Sequence, residues 1–316
     1  MKLILLLSVS AFANSITAVG DVMLGSSYLS SLDSCPQNPL SILQSIPKSD
    51  ITFCNMEGTL LNSGLPTKHC SNCFSFRMPE SLISQYTIFN LISQTNNHSR
   101  DFGEIGTQTT SSLLKQNNIH FANYSQPLDT FTINNIRYTF CAFNTAWHTI
   151  RDADSILSFV DKSTILIISI HGGAEGNAHS HVTKRNEVFY GENRGNVYSF
   201  AHHCIDKGAS IILGHGPHVT RAIELYKNKF IAYSLGNFAT CGFKLEGNTS
   251  IAPIIQINFD NSGNFISGKI YPIIQRKFMP PILDTNNTAI KQIINLTHQD
   301  FPNTNLTIND DGDISK

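Results

Sequence analysis

The residues of this chain that could do chemistry are two carboxylates, an amide and several imidazoles, each placed just behind a short apolar run. Asp21 follows Ile16-Thr17-Ala18-Val19-Gly20, and Glu57 follows a run from Ile51 through Cys54. Asn97 and His98 come after the run that ends at Ser93, His171 after Ile165 to Ile170, and His215 and His218 after Ile211 to Leu213. Nitrogen and oxygen donors without thiolate suit one or two divalent ions, Mn²⁺, Zn²⁺ or Fe²⁺. A carboxylate has two oxygens and can bridge two such ions, which together activate water and clamp the oxygens of a phosphoryl group. A nearby imidazole can then protonate the leaving oxygen. Each piece alone has a plainer reading. Gly-Asp is a common turn, Asn-Asn-His can cap a helix, and a histidine among glycines can sit in a tight turn. His215-Gly216-Pro217-His218 is the strongest piece, because Gly214, Gly216 and Pro217 force an irregular loop that can aim both rings inward. Five such pieces, each behind a strand-like run, carry the metal reading together.

Runs of four to seven β-branched and aliphatic residues predict buried strands. Helical spacing appears between them, over 104–117 and over 195–207, where Val197, Phe200, Ala201, Cys204 and Ile205 fall on one face. Alternating strands and helices predict an α/β sheet with largely parallel strands. In such sheets ligand chemistry gathers outside the carboxyl ends of the strands, so residues spread over two hundred positions should meet on one edge. The stretch 251–274 reads as hairpin strands around Asp260-Asn261-Ser262-Gly263, which makes the sheets mixed. The domain is expected over 14–280, with a C-terminal tail over 281–316 that holds one short helix at 288–297.

The chain has 316 residues, enough for one large domain. Hydrophobic residues make up 41%, so a sizeable core can form, while charged residues are only 14%. A net charge of −1 leaves no electrostatic footprint for nucleic acid. Against that charge-poor background the twelve histidines stand out. The start, Met1-Lys2 and then an apolar run to Ala11-Phe12-Ala13, reads as a secretory signal peptide over 1–13. Export to the periplasm, the cell surface or the medium is the expectation, with a retained anchor as the alternative. Cys70 and Cys73 form a C-x-x-C without a second pair at zinc spacing, which favours a loop disulfide. Cys54, Cys141 and Cys204 lie in apolar stretches and read as core residues.

Other polar clusters read less sharply. His179 and His181 follow the His171 loop and could line a cleft or simply face solvent. Lys184, Arg185, Glu192 and Arg194 lie in the same insertion, where a basic group could receive a phosphate or a carboxylate. His202 and His203 fall in a helix and read as structural. Trp147 and His148 could cover the site.

Six ordered blocks resemble the CapA family, named for capsule and poly-γ-glutamate synthesis and similar in fold to calcineurin-like metallophosphoesterases. They are Gly20-Asp21-Val22-Met23-Leu24-Gly25, Asn55-Met56-Glu57-Gly58, Asn96-Asn97-His98 with Asp101 and Gly103, His171 through Gly176, Gly214 through Val219, and Tyr233 through Phe238. The resemblance runs from about Ile16 to about Ile274. It implies a four-layer αββα sandwich of two mixed sheets, metallo-dependent phosphatase-like, with a metal site at the sheet edge. By position, Asp21 would bind one metal, Glu57 would bridge, Asn97 and His171 would bind the second, and His215 and His218 would divide between them. His98 would be the acid, oriented by Asp101. Glu175 and Asn237 would support the site or face substrate. Two departures stand against the phosphoesterase pattern: Met23 occupies the place of a histidine two positions after Asp21, and Glu57 replaces an aspartate. The function implied is a metal-dependent hydrolase acting on a phosphoester or amide of an envelope polymer, or on a small phosphoester. The alternative is a non-catalytic accessory protein of capsule or poly-γ-glutamate biosynthesis, associated with a membrane polymer-synthesis complex.

Overall fold

The aliphatic runs are too short for helices, and their residues are buried on both faces, so they pair as strands. The computed structural model describes residues 14–25, 38–68, 74–240, 242–243 and 245–316. The signal peptide expected at 1–13 and the disulfide expected at Cys70/Cys73 lie outside the described residues. In one sheet β1 (Asn14–Met23), β2 (Ile51–Met56), β3 (Leu91–Gln94) and β4 (His120–Asn123) run parallel. A second sheet is built from β5 (Leu128–Ile133), β6 (Ile136–Asn144), β7 (Ile165–His171), β8 (Ala209–His215), β9 (Ile223–Tyr226) and β10 (Lys229–Ala232). The chain then returns to the first sheet with β11 (Asn237–Thr240), β12 (Ile251–Phe259), β13 (Phe265–Ile274), β14 (Ile282–Leu283), β15 (Thr307–Ile308) and β16 (Asp313–Ser315).

The ten-stranded sheet has the order β15-β16-β13-β12-β1-β2-β3-β4, with β11 beside β1 and β14 beside β13. The six-stranded sheet has the order β9-β10-β8-β7-β6-β5. Both are mixed. In the first, β12 pairs antiparallel to β1; in the second, β9 and β5 are antiparallel edge strands on a parallel core. Ile16 and Phe53 of the first sheet pack against Phe140, Ile167 and Ile211 of the second. The Phe53 and Phe140 rings meet edge-on, with centroids 5.8 Å apart.

Helices cover the outer faces. α1 (Gly103–Gln116) places Leu114 in a core with Val22, Met56 and Ile92. α2 (Ile150–Leu157) and α3 (Val197–Asp206) pack on Cys141, Ile168 and Ile212. The two sheets with helices on both outer faces make the expected αββα sandwich. α3 buries the predicted face and is capped by the Asn196 side chain, which accepts from the Ser199 N–H. α2 was not anticipated. Its signal is a capping box, Thr149 with Asp152. The C-terminal stretch carries the expected helix as α4 (Thr288–Asp300), with Ile290 and Ile293 in the inter-sheet core, and adds β14 to β16 to the large sheet.

Cys54, Cys141 and Cys204 are buried free thiols. His202 binds Glu224 and His203 binds Asp154, each at 2.8 Å, which ties them into the scaffold. Among the described residues no helix is long and apolar enough to cross a membrane.

Candidate functional site

Strand alternation decides which side chains can meet. Tyr138, Phe140 and Ala142 of β6, Ile165 and Ile167 of β7, and Ile211 and Leu213 of β8 all face the inter-sheet core. The last residues of the same strands continue those faces: Asn144, His171 and His215, which lie in register with one another. Opposite them, β1 brings Asp21 into register with Asn55 of β2 and Asn237 of β11, beside an irregularity in the β1–β2 pairing. Gly20 makes this approach feasible, because a Cβ there would collide with the Gly236 carbonyl. The same carbonyl accepts from the Asp21 N–H at 2.8 Å.

The two sheets contribute carboxylates and imidazoles to one buried cluster. His215 Nδ1 lies 3.6 Å from Asp21 Oδ1, and His171 Nδ1 lies 4.0 Å from Glu57 Oε2. His218 Nδ1 lies 3.0 Å from Asp21 Oδ2 and 3.0 Å from Asn237 Oδ1. His218 itself is a non-glycine residue in the left-handed region, with φ +57°. Its loop turns at Gly216, φ +113°, where a Cβ would press on Gly172. The loops of His171 and His218 are therefore in contact through glycine backbone, and Gly172 N–H donates to the His215 carbonyl at 2.9 Å.

Two asparagines that the sequence reading gave no role organise the carboxylates. Asn55 Nδ2 donates to Asp21 Oδ1 at 2.8 Å and to Glu57 Oε2 at 2.6 Å. Asn96 Nδ2 donates to Asn55 Oδ1 at 3.0 Å, and Asn96 Oδ1 accepts from the His98 backbone N–H at 3.0 Å. This amide relay holds both carboxylates and the His98 loop together. No local signal marks these amides: each sits one or two positions from an acid or an imidazole, as turn asparagines commonly do.

Burial sets the electrostatics. It pushes the Glu57 carboxyl well above its ordinary range, and the charge of Asp21 adds to this. Burial also opposes the charge on Asp21, but the hydrogen bond and charge of His218, with His215 and His171 behind it, hold Asp21 below its ordinary value. His171 is driven well below its ordinary value by burial, and His215 down to about 4 for the same reason. His218 goes the other way: burial is outweighed by Asp21, which pushes it up to about 10. The protonated His218 thus supplies the positive charge that Asp21 requires.

His98 is 6% exposed and stands beside this cluster. Its Nδ1 lies 2.7 Å from Asp101 Oδ2, as the sequence reading expected. Asp101 is fixed by the Phe76 N–H at 2.7 Å and by Lys68 Nζ at 2.6 Å. Lys68 also donates to the Asn97 carbonyl at 3.0 Å. Lys68 was not anticipated. With Nδ1 given to Asp101, Nε2 is the nitrogen left for a substrate. Burial lowers the His98 pKa against the pull of Asp101. The Phe76 ring lies 3.9 Å from His98, centroid to centroid, and Phe243 packs on both Phe76 and His218.

Glu175 does not contact His171; it pairs with Arg194 Nη1 at 2.9 Å. His181 faces solvent and pairs with Asp300 of α4 at 2.8 Å, and Lys184 donates to the Asp300 carbonyl. The His179 carbonyl accepts from Arg221 Nε at 2.9 Å. The insertion is thus fastened to the scaffold. His148 Nδ1 accepts from the Asn144 N–H at 3.0 Å, and Trp147 is partly exposed beside Tyr124.

The residues present fit a divalent cation. Glu57 Oε1, Asn97 Oδ1 and both ring nitrogens of His171 and of His215 are buried without any hydrogen-bond partner. Buried polar atoms are rarely left so, and these are the donor types that divalent ions take. Among the described residues, no three His, Cys, Asp or Glu side chains form a ready-made cage. Asn97, whose backbone carbonyl accepts from Lys68, adds an unpartnered amide oxygen, and Asp21 is engaged by His218 and Asn55. Met23, at the place of the missing histidine, is fully buried in the outer core and offers the site nothing.

A family model described as bacterial capsule synthesis protein PGA_cap matches residues 15–154 and 144–241. The capsule biosynthesis protein CapA of Bacillus anthracis is 28% identical over 166 residues, which cover 48% of this chain and 40% of that protein. The PGA biosynthesis protein CapA of Bacillus subtilis (strain 168) is 29% identical over 173 residues, covering 48% of this chain and 42% of that protein. The chain therefore spans about two-fifths of the length of these relatives. The 5'-nucleotidase precursor from Thermus thermophilus superposes with a TM-score of 0.43 at 11% identity, over 84% of this chain and 55% of that chain.

Proposed function

This chain belongs to the bacterial capsule synthesis protein family, and from that premise we propose that it is an exported metal-dependent hydrolase acting on a phosphoester or amide bond of an envelope polymer. The observation that supports this reading is the set of buried, unpartnered donor atoms on Glu57, Asn97, His171 and His215. These residues, with Asp21 and His218, would hold one or two divalent ions, Mn²⁺, Zn²⁺ or Fe²⁺. Such an ion supplies Lewis-acid charge and makes water a usable nucleophile at neutral pH.

The chain's own residues do the rest. Asn55 and Asn96 hold the two carboxylates and the His98 loop in one frame. Asp101 accepts the proton on His98 Nδ1, which fixes the ring and leaves Nε2 to carry a proton to the leaving oxygen. Lys68 holds Asp101 in place from its other oxygen. Phe76 covers that ring, and Phe243 backs Phe76.

A second reading is favoured by one observation. The donor lost at Met23 leaves Asp21 paired with His218 instead of a further imidazole. A site of this kind could bind polymer without turnover, in an accessory protein of capsule or poly-γ-glutamate biosynthesis.

The experiment measures bound metal by elemental analysis and hydrolysis of a phosphoester panel with added Mn²⁺. We expect near-stoichiometric metal in the wild type, its loss in His215→Ala, and its retention in His98→Ala with turnover reduced by roughly 10²- to 10⁴-fold. Absence of metal from the wild type refutes the site. Metal without turnover, and a His98→Ala variant that behaves as wild type, leaves the accessory reading.

A further inference from the structure

Besides scattered hydroxyls and glutamine oxygens, the unpartnered buried atoms include two chemical kinds. Glu57 Oε1, Asn97 Oδ1 and the rings of His171 and His215 present lone pairs, which a cation satisfies. Asn144 Nδ2 and Arg194 Nε are donors, and among the described residues nothing accepts from them. A cation cannot meet that demand; an anionic oxygen can.

Asn144 closes β6 and is 1% exposed. Its register places it next to His171, which lies next to His215. Alternation along β6 puts its side chain on the same inner face as those two rings. The orientation of the amide is fixed, because Oδ1 accepts from the Ala146 N–H at 2.9 Å and the NH₂ is the remaining end. Arg194 is anchored beside it. The Arg194 carbonyl accepts from Thr145 Oγ1 at 2.7 Å and from the Gly173 N–H at 2.9 Å. It is therefore stitched both to the residue after Asn144 and to the His171 loop. Its side chain is 9% exposed, with Nη1 on Glu175 and Nη2 3.2 Å from Glu192, whose own side chain is 70% exposed.

We propose that Asn144 Nδ2 and the Arg194 guanidinium form an oxyanion subsite beside the His171–His215 row, reading a phosphoryl or carboxylate oxygen of the substrate. The inference rests on the hydrolase reading above and names the substrate class for the same site. Arg194 is kept in place by its two glutamates until substrate arrives. The pair with Glu192 is solvent-exposed and worth little, so an anion displaces it at small cost. A chain with almost no net charge then recognises its anionic substrate through two placed donors rather than through a basic surface.

The test uses inorganic phosphate as the probe, titrated calorimetrically into metal-loaded wild type, Asn144→Leu and Arg194→Gln, with metal content measured on the same samples. Each variant should keep its metal and bind phosphate roughly tenfold to hundredfold more weakly. Asn144→Asp keeps the volume and the bond to Ala146 while replacing the donor by an acceptor; it should bind phosphate more weakly still, and it serves if the leucine variant does not fold. Acetate in place of phosphate separates a carboxylate reader from a phosphoryl reader. Unchanged phosphate affinity in variants that retain metal overturns the subsite. So does loss of metal from Asn144→Leu, which would make Asn144 a ligand. If the wild type takes up no metal, the hydrolase reading fails on its own; the phosphate titration on metal-free wild type and Asn144→Asp then decides the subsite, equal affinities overturning it.

Discussion

Two buried polar clusters lie on either side of the His171 loop, and they are built on opposite principles. At the sheet edge, Glu57, His171 and His215 crowd around Asp21 and leave lone pairs unmet. On the far side, Arg221 is fully buried, yet its Nη1 and Nη2 bind Glu187 at 2.9 and 2.7 Å, Nη2 reaches the Ala174 carbonyl and Nε the His179 carbonyl. Glu187 also accepts from the Ala174 N–H at 2.8 Å. One cluster is satisfied by the chain and holds three segments together. The other finds no partner for those atoms among the described residues. Burial of charge is costly in both; the count of partners tells which charges belong to the scaffold and which await a ligand.

The largest effect should come from breaking the satisfied cluster. Arg221→Met leaves Glu187 buried with only a backbone partner, and should cost about 3–5 kcal/mol in urea unfolding of the metal-free protein. The double variant Glu187→Met/Arg221→Met should recover most of that loss, since no charge remains uncompensated. A single-variant cost below about 1 kcal/mol would erase the distinction between the clusters.

The unsatisfied cluster should answer differently. Glu57→Gln keeps an oxygen for the Asn55 amide and removes a charge that burial disfavours. Its metal-free form should be as stable as the metal-free wild type, or up to about 1 kcal/mol more stable. The wild type should gain about 2.7 kcal/mol from metal at a hundred times Kd, and the variant should gain none of it. Uptake should also release protons, because His218 is protonated when it serves Asp21 and must be neutral to bind metal. Thermal melts with metal and with chelator, and pH-stat titration, check each part.

How much of this was legible beforehand follows from the same division. Strands and their order of chemistry were readable because β-branched runs end in the reactive residues, and parallel topology brings strand ends to one edge. The α3 face was readable from five apolar positions at helical spacing, all of them buried. The second tier was not. Asn55, Asn96 and Asn144 look like any turn amides in an Asn-rich chain; strand register places Asn55 beside Asp21 and Asn144 beside His171, and Asn96 is placed only by its bond to Asn55. Lys68 is thirty-three residues from Asp101, the partner it binds at 2.6 Å. The Arg221–Glu187 pair joins residues 34 apart with no local signal at all. Composition spoke of charge poverty, yet a few of the charges, Asp21, Glu57, Asp101, Glu187, Arg194 and Arg221 among them, are buried where their electrostatics count for most.

The smallest prediction concerns the sign of a pH dependence, and it carries the comparison to two single carboxyls. Asp284 is buried like Glu57, but its oxygens accept from the Asn286 N–H at 3.0 Å and from the Thr288 N–H, at the start of α4, at 2.8 Å. Burial pushes its pKa up, and these bonds outweigh burial and hold it below the ordinary 3.8. A carboxyl whose pKa is lower folded than unfolded stabilises fully above the unfolded value, and the contribution is lost as pH falls through the folded one. Asp284→Ala should therefore cost about 1 kcal/mol near neutrality, and the gap from wild type should narrow as acid protonates the carboxyl. Glu57 has the reverse sign: its folded pKa lies above the ordinary 4.5, so the metal-free fold is penalised increasingly as pH rises through that interval. The gap between Glu57→Gln and wild type should accordingly widen toward neutrality. Urea unfolding in chelator from about pH 3 to about pH 8 measures both slopes. Slopes of the same sign would mean that partner count does not separate scaffold carboxyls from ligand carboxyls in this fold.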